Sequence, residues 1–281
     1  MKRLRTLSRL AAVGMVVVLS ACSSAPKAPT PSTDAAQIGE IRPGSGMLNG
    51  YLERKALPDS LALLPPPPAA GSAAQEADQA AYRATRHLLG TPRGSLAAAD
   101  ARLEFPAAAE AFSCAAGLDI TMESTPHLYT LLRRSLVDAG LATYGAKDHY
   151  KRTRPFVVNK DATCSPQDEP RLVKDGSYPS GHSALGWAWT LLLTELMPER
   201  TNALLERGYA FGQSRVVCGV HWQSDVDTGR VMGAAAVARL HADPVFLAQM
   251  DAAAVEIRKL RAQGRGTVRQ CTAEAEALKL K

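Results

Sequence analysis

Aromatic residues are scarce in this 281-residue chain, at 5%, and no stretch alternates apolar and polar side chains as a half-buried strand would. Without either, a β-sandwich or barrel has little to pack. No unit of 20–50 residues recurs, which excludes solenoids and propellers. Past residue 22 no apolar run reaches the ~20 residues that a membrane-spanning helix requires. The five cysteines show no zinc-ligand spacing. What is abundant is alanine and leucine, within a hydrophobic share of 46%. Both favour helix. The composition predicts an all-α fold, a single helical-bundle domain.

An excess of charge of either sign is also nearly lacking once the N-terminus is set aside. Lys2, Arg3, Arg5 and Arg9 precede an apolar run from Leu10 to Ala21, which reads as a secretory signal peptide over 1–21. Removing it takes away those four cations and no acid, so the formal charge drops from +6 to +2. Nucleic acid is therefore not an expected partner. The run ends Leu19-Ser20-Ala21-Cys22, which resembles a bacterial lipobox. That resemblance implies lipidation at Cys22 and a periplasmic protein held at the outer membrane, touching the membrane through its anchor alone. Four cysteines remain, Cys114, Cys164, Cys218 and Cys271, an even number that in an exported protein points to two disulfides among three pairings.

Residues 22–45, with Ala25-Pro26-Lys27-Ala28-Pro29-Thr30-Pro31-Ser32, read as a flexible tether. The domain spans 46–262, and 263–281 is a C-terminal tail. Leu63-Leu64-Pro65-Pro66-Pro67-Pro68 reads as an extended linker. Helices are expected over 74–89, closing at Gly90, and from Pro106 to near Gly117. Another starts at Thr125-Pro126, with Leu128, Leu131, Leu132 and Leu136 on one face. His182–Met197 is apolar nearly all round and predicts a buried central helix. Pro198 starts the next, running to Val217. Asp225–His241 carries Gly229 and Gly233, small enough for close helix contact, and Pro244 opens a final helix.

Three polar clusters carry the chemistry. In Ser214-Arg215-Val216-Val217-Cys218-Gly219-Val220-His221-Trp222-Gln223-Ser224-Asp225, His221 and Asp225 are four apart, one face of a helix. Asp225 can then fix the imidazole tautomer and leave one nitrogen free as a nucleophile, with Arg215 forked onto an oxyanion. Lys147 and Arg154 are seven apart, two helical turns, with Pro155 stopping the helix; a solvated basic face of Lys147, Lys151, Arg152 and Arg154 is the plain alternative. Gly176-Ser177-Tyr178-Pro179-Ser180-Gly181-His182-Ser183 precedes the buried helix, where free backbone N–H groups can cradle an anion.

In this order Lys-x6-Arg-Pro, Pro-Ser-Gly-His and Ser-Arg-x5-His-x3-Asp resemble the type 2 phosphatidic acid phosphatase and vanadium haloperoxidase superfamily. The wording around His182, the segment 63–68 and the segment 212–227 resemble its class A bacterial nonspecific acid phosphatases, over roughly residues 48–250. The resemblance implies a phosphomonoesterase active at acidic pH. Lys147, Arg154, Arg215, Ser180 and Gly181 would bind phosphate, His221 held by Asp225 would become a phosphohistidine, and His182 would serve as acid and base. No metal or other cofactor is implied, since three fixed cations do a metal's work. Partners would be small phosphomonoesters, and a homodimer would fit such relatives. Cys164 and Cys218 lie inside the resembling stretch, whereas Cys114 and Cys271 are departures, so the simplest pairing is Cys164–Cys218 with Cys114–Cys271. A vanadate-dependent haloperoxidase and a non-catalytic phosphate-binding lipoprotein stand as alternatives.

Overall fold

The apolar run after Gly181 is the axis of the molecule. In the computed structural model, which describes residues 31–280, it forms a helix whose Leu185, Ala188, Trp189, Leu192 and Leu193 are all buried. In chain order the helices are α1 (Ala35–Ile38), α2 (Ser60–Leu63), α3 (Ala73–Thr85), α4 (Pro92–Asp100), α5 (Ala107–Glu110), α6 (Ser113–Ala116) and α7 (Pro126–Leu141). There follow α8 (Tyr144–Tyr150), α9 (Pro155–Asn159), α10 (Glu169–Leu172), the central α11 (Gly181–Leu196), α12 (Thr201–Val217), α13 (Gln223–Leu240), α14 (Pro244–Ala262) and α15 (Thr272–Leu278). No strand forms among the described residues; Glu40 and Leu48 make one isolated bridge. The expected all-α architecture holds.

Helix α11 packs against α7, α12 and α13, and α14 covers α7. The four leucines expected on one face of α7 are buried. Trp189 sits at the junction: its indole donates to Leu132 O at 3.0 Å, and Phe105 and Phe112 meet its ring edge-on. Each such aromatic contact is worth about 1 kcal/mol beyond area burial. Gly229 and Gly233 do what small residues permit. A Cβ at Gly229 would lie 2.6 Å from Ser180 O, and one at Gly233 would overlap Ala184 O. Helix α13 therefore lies directly on the first turns of α11, and the Ser180 N–H donates to Asp225 O at 2.9 Å.

Several boundaries differ from expectation. The tether predicted over 22–45 is built into the body before it ends: Asp34 caps α1, and Glu40 accepts from Ser45 and Gly46 N–H. Residues 64–68 are no free linker, because Leu64 is buried and the Tyr178 hydroxyl donates to Pro65 O at 2.7 Å. Pro244 does not open the last helix. The tail carries α15, with Ala277 buried and Glu274 3.4 Å from Arg207. Cys271 is bonded to Cys114, and Cys164 to Cys218, with Cα separations of 5.7 and 4.7 Å. Among the described residues no single helix is long and apolar enough to cross a membrane. The signal peptide and Cys22 lie outside them.

Candidate active site

Two residues of the site are set by the way α12 ends. Arg86 donates to Val216 O and Val217 O at 2.8 and 2.6 Å, satisfying carbonyls that a helix end leaves free. The chain then turns through Gly219 at φ 77°, a left-handed conformation suited to glycine. Arg215 O accepts from the N–H of Val220 and of His221, at 3.2 and 3.3 Å. The Cys164–Cys218 bridge pins the same turn. His221 thus stands outside any helix, and the expected shared helical face is wrong: Asp225 lies in the first turn of α13, and His221 precedes it. The pair still meets, Nδ1 to Oδ2 at 3.4 Å, while the same Oδ2 takes the Trp222 N–H at 2.8 Å. Ser214 does not enter the pocket; its hydroxyl ties Asp100 and Arg93 of α4 to α12.

Lys147 and Arg154 do not share a helix either. α8 ends at Tyr150 with Lys151 at φ 45°, and Pro155 opens α9 instead of stopping a helix. A proline at the first helical position loses no hydrogen bond, which is why it starts this one. The two cations converge through a common partner: Lys147 Nζ donates to Gly176 O at 2.7 Å, and Arg154 Nη2 to the same oxygen at 3.2 Å. A Cβ at Gly176 would sit 2.7 Å from Lys147 O, so glycine lets this loop approach α8. Both side chains are buried, at 4% and 2% exposure, which removes the solvated-face alternative for them. Asp175, absent from the sequence reading, accepts from Arg154 Nη2 at 3.1 Å and lies 3.8 Å from Lys147 Nζ.

The third cluster opens α11. Ser180 caps the helix, its oxygen accepting from the Ser183 N–H and hydroxyl at 3.2 and 3.0 Å; this leaves its own hydrogen to offer. Gly181 follows in the first turn, where backbone N–H groups point outward without helical partners. His182 Nε2 is 3.1 Å from Ala101 O, and a carbonyl can only accept, so that nitrogen carries a hydrogen. Its ring lies parallel to Phe211, 6.5 Å between centroids.

Charge gives the site its character. Arg154 spends every N–H: on Leu172 O, Asp175, Gly176 O, Val220 O and His221 Nε2, the last at 3.0 Å. Arg215, 1% exposed, has Nε and Nη1 buried without a partner among the described residues. Leaving buried donors unpaired is costly, and an anion would repay it. Burial, then Arg154, pushes the Arg215 pKa down to about 9; burial, with Arg154 beside it, takes Lys147 to about 8. Burial and the cations hold both histidines well below 6.5, Arg215 acting on His182 and Arg154, Lys147 and Arg215 on His221. Arg152, placed on a solvated face by the plain alternative, instead turns its side chain inward, 8% exposed, behind Asp225, to which it donates at 2.6 Å. Neither Arg152 nor Asp175 had a signal in the sequence, because their partners arrive from distant segments.

Residues 127–246 match the PAP2 superfamily. The non-specific acid phosphatase of Providencia stuartii is 50% identical over 212 residues, covering 75% of this chain and 86% of that protein. The non-specific acid phosphatase of Salmonella typhimurium is 47% identical over 184 residues, covering 65% and 74%. A bacterial vanadium-dependent iodoperoxidase of known structure is 17% identical with a TM-score of 0.49, over 76% of this chain and 62% of that one. With half the aligned residues shared over most of such a relative, the chain belongs to the class A bacterial nonspecific acid phosphatases of the PAP2 superfamily.

Proposed function

We propose that this protein hydrolyses phosphate monoesters of many kinds through a phosphohistidine, with highest activity at acidic pH. The observation that carries the reading is the unpaired, buried Arg215 guanidinium, set with Lys147 and Arg154 around an imidazole tied to a carboxylate. Three cations stabilise the oxygens of a phosphoryl group in transfer, for which positioning and charge are most of catalysis. Substrate oxygens take the Arg154 N–H now given to His221 Nε2, and so free the nucleophile's lone pair. Nε2 then bonds to phosphorus while the ester P–O bond breaks, its electron pair going to the leaving oxygen, which His182 protonates. In the second step His182 takes a proton from water, the water oxygen bonds to phosphorus, and the N–P bond breaks back to the ring.

Recognition centred on phosphate tolerates varied leaving groups, which supports broad specificity. The rate falls as pH rises because a neutral His182 has no spare proton for the leaving oxygen. The lipobox-like Leu19–Cys22 supports a lipid-anchored, periplasmic enzyme at the outer membrane. A trapping experiment tests the chemistry. Acid-labile phosphate should appear on His221 of the wild type after mixing with an aryl phosphate, in chelator as well as without. His221→Ala should stay folded, trap nothing and lose at least about 10⁴-fold in kcat. Turnover near the wild-type rate in that variant would refute the assignment.

A further inference from the structure

Behind the nucleophile lies a second polar cluster whose side chains hydrogen-bond to no phosphate-binding residue. Arg152 donates from Nη1 to Asp225 Oδ1 at 2.6 Å and to Ser224 Oγ at 2.8 Å, and from Nη2 to Gln75 Oε1 and Asp78 Oδ2, both at 2.7 Å. Asp78, on α3, also accepts from the Ser224 N–H at 2.8 Å and from its hydroxyl at 2.6 Å. We propose that Arg152, clamped by Asp78 and Gln75, is a positioning residue that holds Asp225 as a carboxylate with Oδ2 aimed at His221 Nδ1. The inference rests on the phosphohistidine reading and extends it to a residue outside the pocket.

Asp225 has no exposed surface, so its charge must be balanced by protein groups. The groups around it are Arg152, His221, Asp78 on the far side of Arg152 and, through charge, Lys147, Arg154 and Tyr178. Of the cations, Arg152 is the one in contact. By occupying Oδ1 it leaves Oδ2 to face the Trp222 N–H and His221 Nδ1. An acceptor at Nδ1 keeps the ring hydrogen there and the lone pair on Nε2, the atom that attacks. Without Arg152, a buried Asp225 takes up a proton at acidic pH, and a carboxylic acid can donate to Nδ1. The ring hydrogen then sits on Nε2, and the nucleophile is lost. The damage should therefore be pH-dependent and should spare substrate binding, because Arg152 meets no substrate oxygen.

Steady-state kinetics of Arg152→Gln and Arg152→Lys from pH 4.5 to 8, with histidine NMR, tests this. In Arg152→Gln, kcat should drop about 100-fold at pH 5 and recover about tenfold by pH 7.5, with KM within twofold; the wrong ring tautomer should appear at pH 5. Arg152→Lys keeps the charge, so its pH profile should follow the wild type at several-fold lower kcat. A loss in Arg152→Gln that is the same at every pH, or an intact Nδ1–H tautomer at pH 5, would overturn the role. Where Arg152→Gln does not fold, a raised KM with unchanged kcat in Arg152→Lys overturns it as well. A wild type that traps no phosphohistidine defeats the underlying mechanism; one that traps it beside a pH-independent loss defeats only the role of Arg152.

Discussion

His182 and His221 are the residues on which acid should act first. Burial and the facing cations keep both neutral in the resting site, with pKa values well below the unfolded 6.5. The sign follows from linkage. Above about pH 6.5 both folded and unfolded forms are neutral; below it the unfolded chain binds protons that the folded site refuses, so stability falls with pH. Bound phosphate reverses the local charge and favours the imidazolium. Thermal melts should therefore show the free protein losing Tm from pH 7 to pH 5, with a larger stabilisation by phosphate at pH 5 than at pH 8. A phosphate shift of equal size at both would contradict this placing of the histidines.

Between elements, the closest constraint is α13 against α11. Gly233→Val should cost about 3 kcal/mol in urea melts, because the new methyls meet the Ala184 backbone and not a mobile side chain. Activity should fall further than stability, since the same contact holds Ser180 beside Asp225. This tight approach was legible from the spacing of Gly229 and Gly233, as the central helix was from its unbroken apolar surface. The site residues were legible because their motifs are local in sequence. What escaped was non-local. Nothing about Lys147-x6-Arg154 reveals that Lys151 leaves the helix, and nothing about Arg152 reveals that Asp78, on α3, waits for it. The tail helix α15 escaped for the same reason: seven residues, Thr272–Leu278, are held by Cys114 and Arg207 more than by any pattern of their own.

For the whole molecule, the Cys114–Cys271 bridge fastens a tail that carries few buried residues. Cys271→Ser should lower stability by about 2–5 kcal/mol and expose the junction after Ala262 to proteolysis, leaving kcat near wild type. A variant that melts with the wild type would show that α15 docks without its bridge. The two bridges are also nested, 114 to 271 enclosing 164 to 218. A chain made N-terminus first presents Cys164 to Cys114 long before Cys271 has been synthesised. Oxidation in order of arrival would join neighbours and strand the tail. Maturation thus depends on the Cys114 thiol being left unclaimed, or reclaimed, until Cys271 has been made.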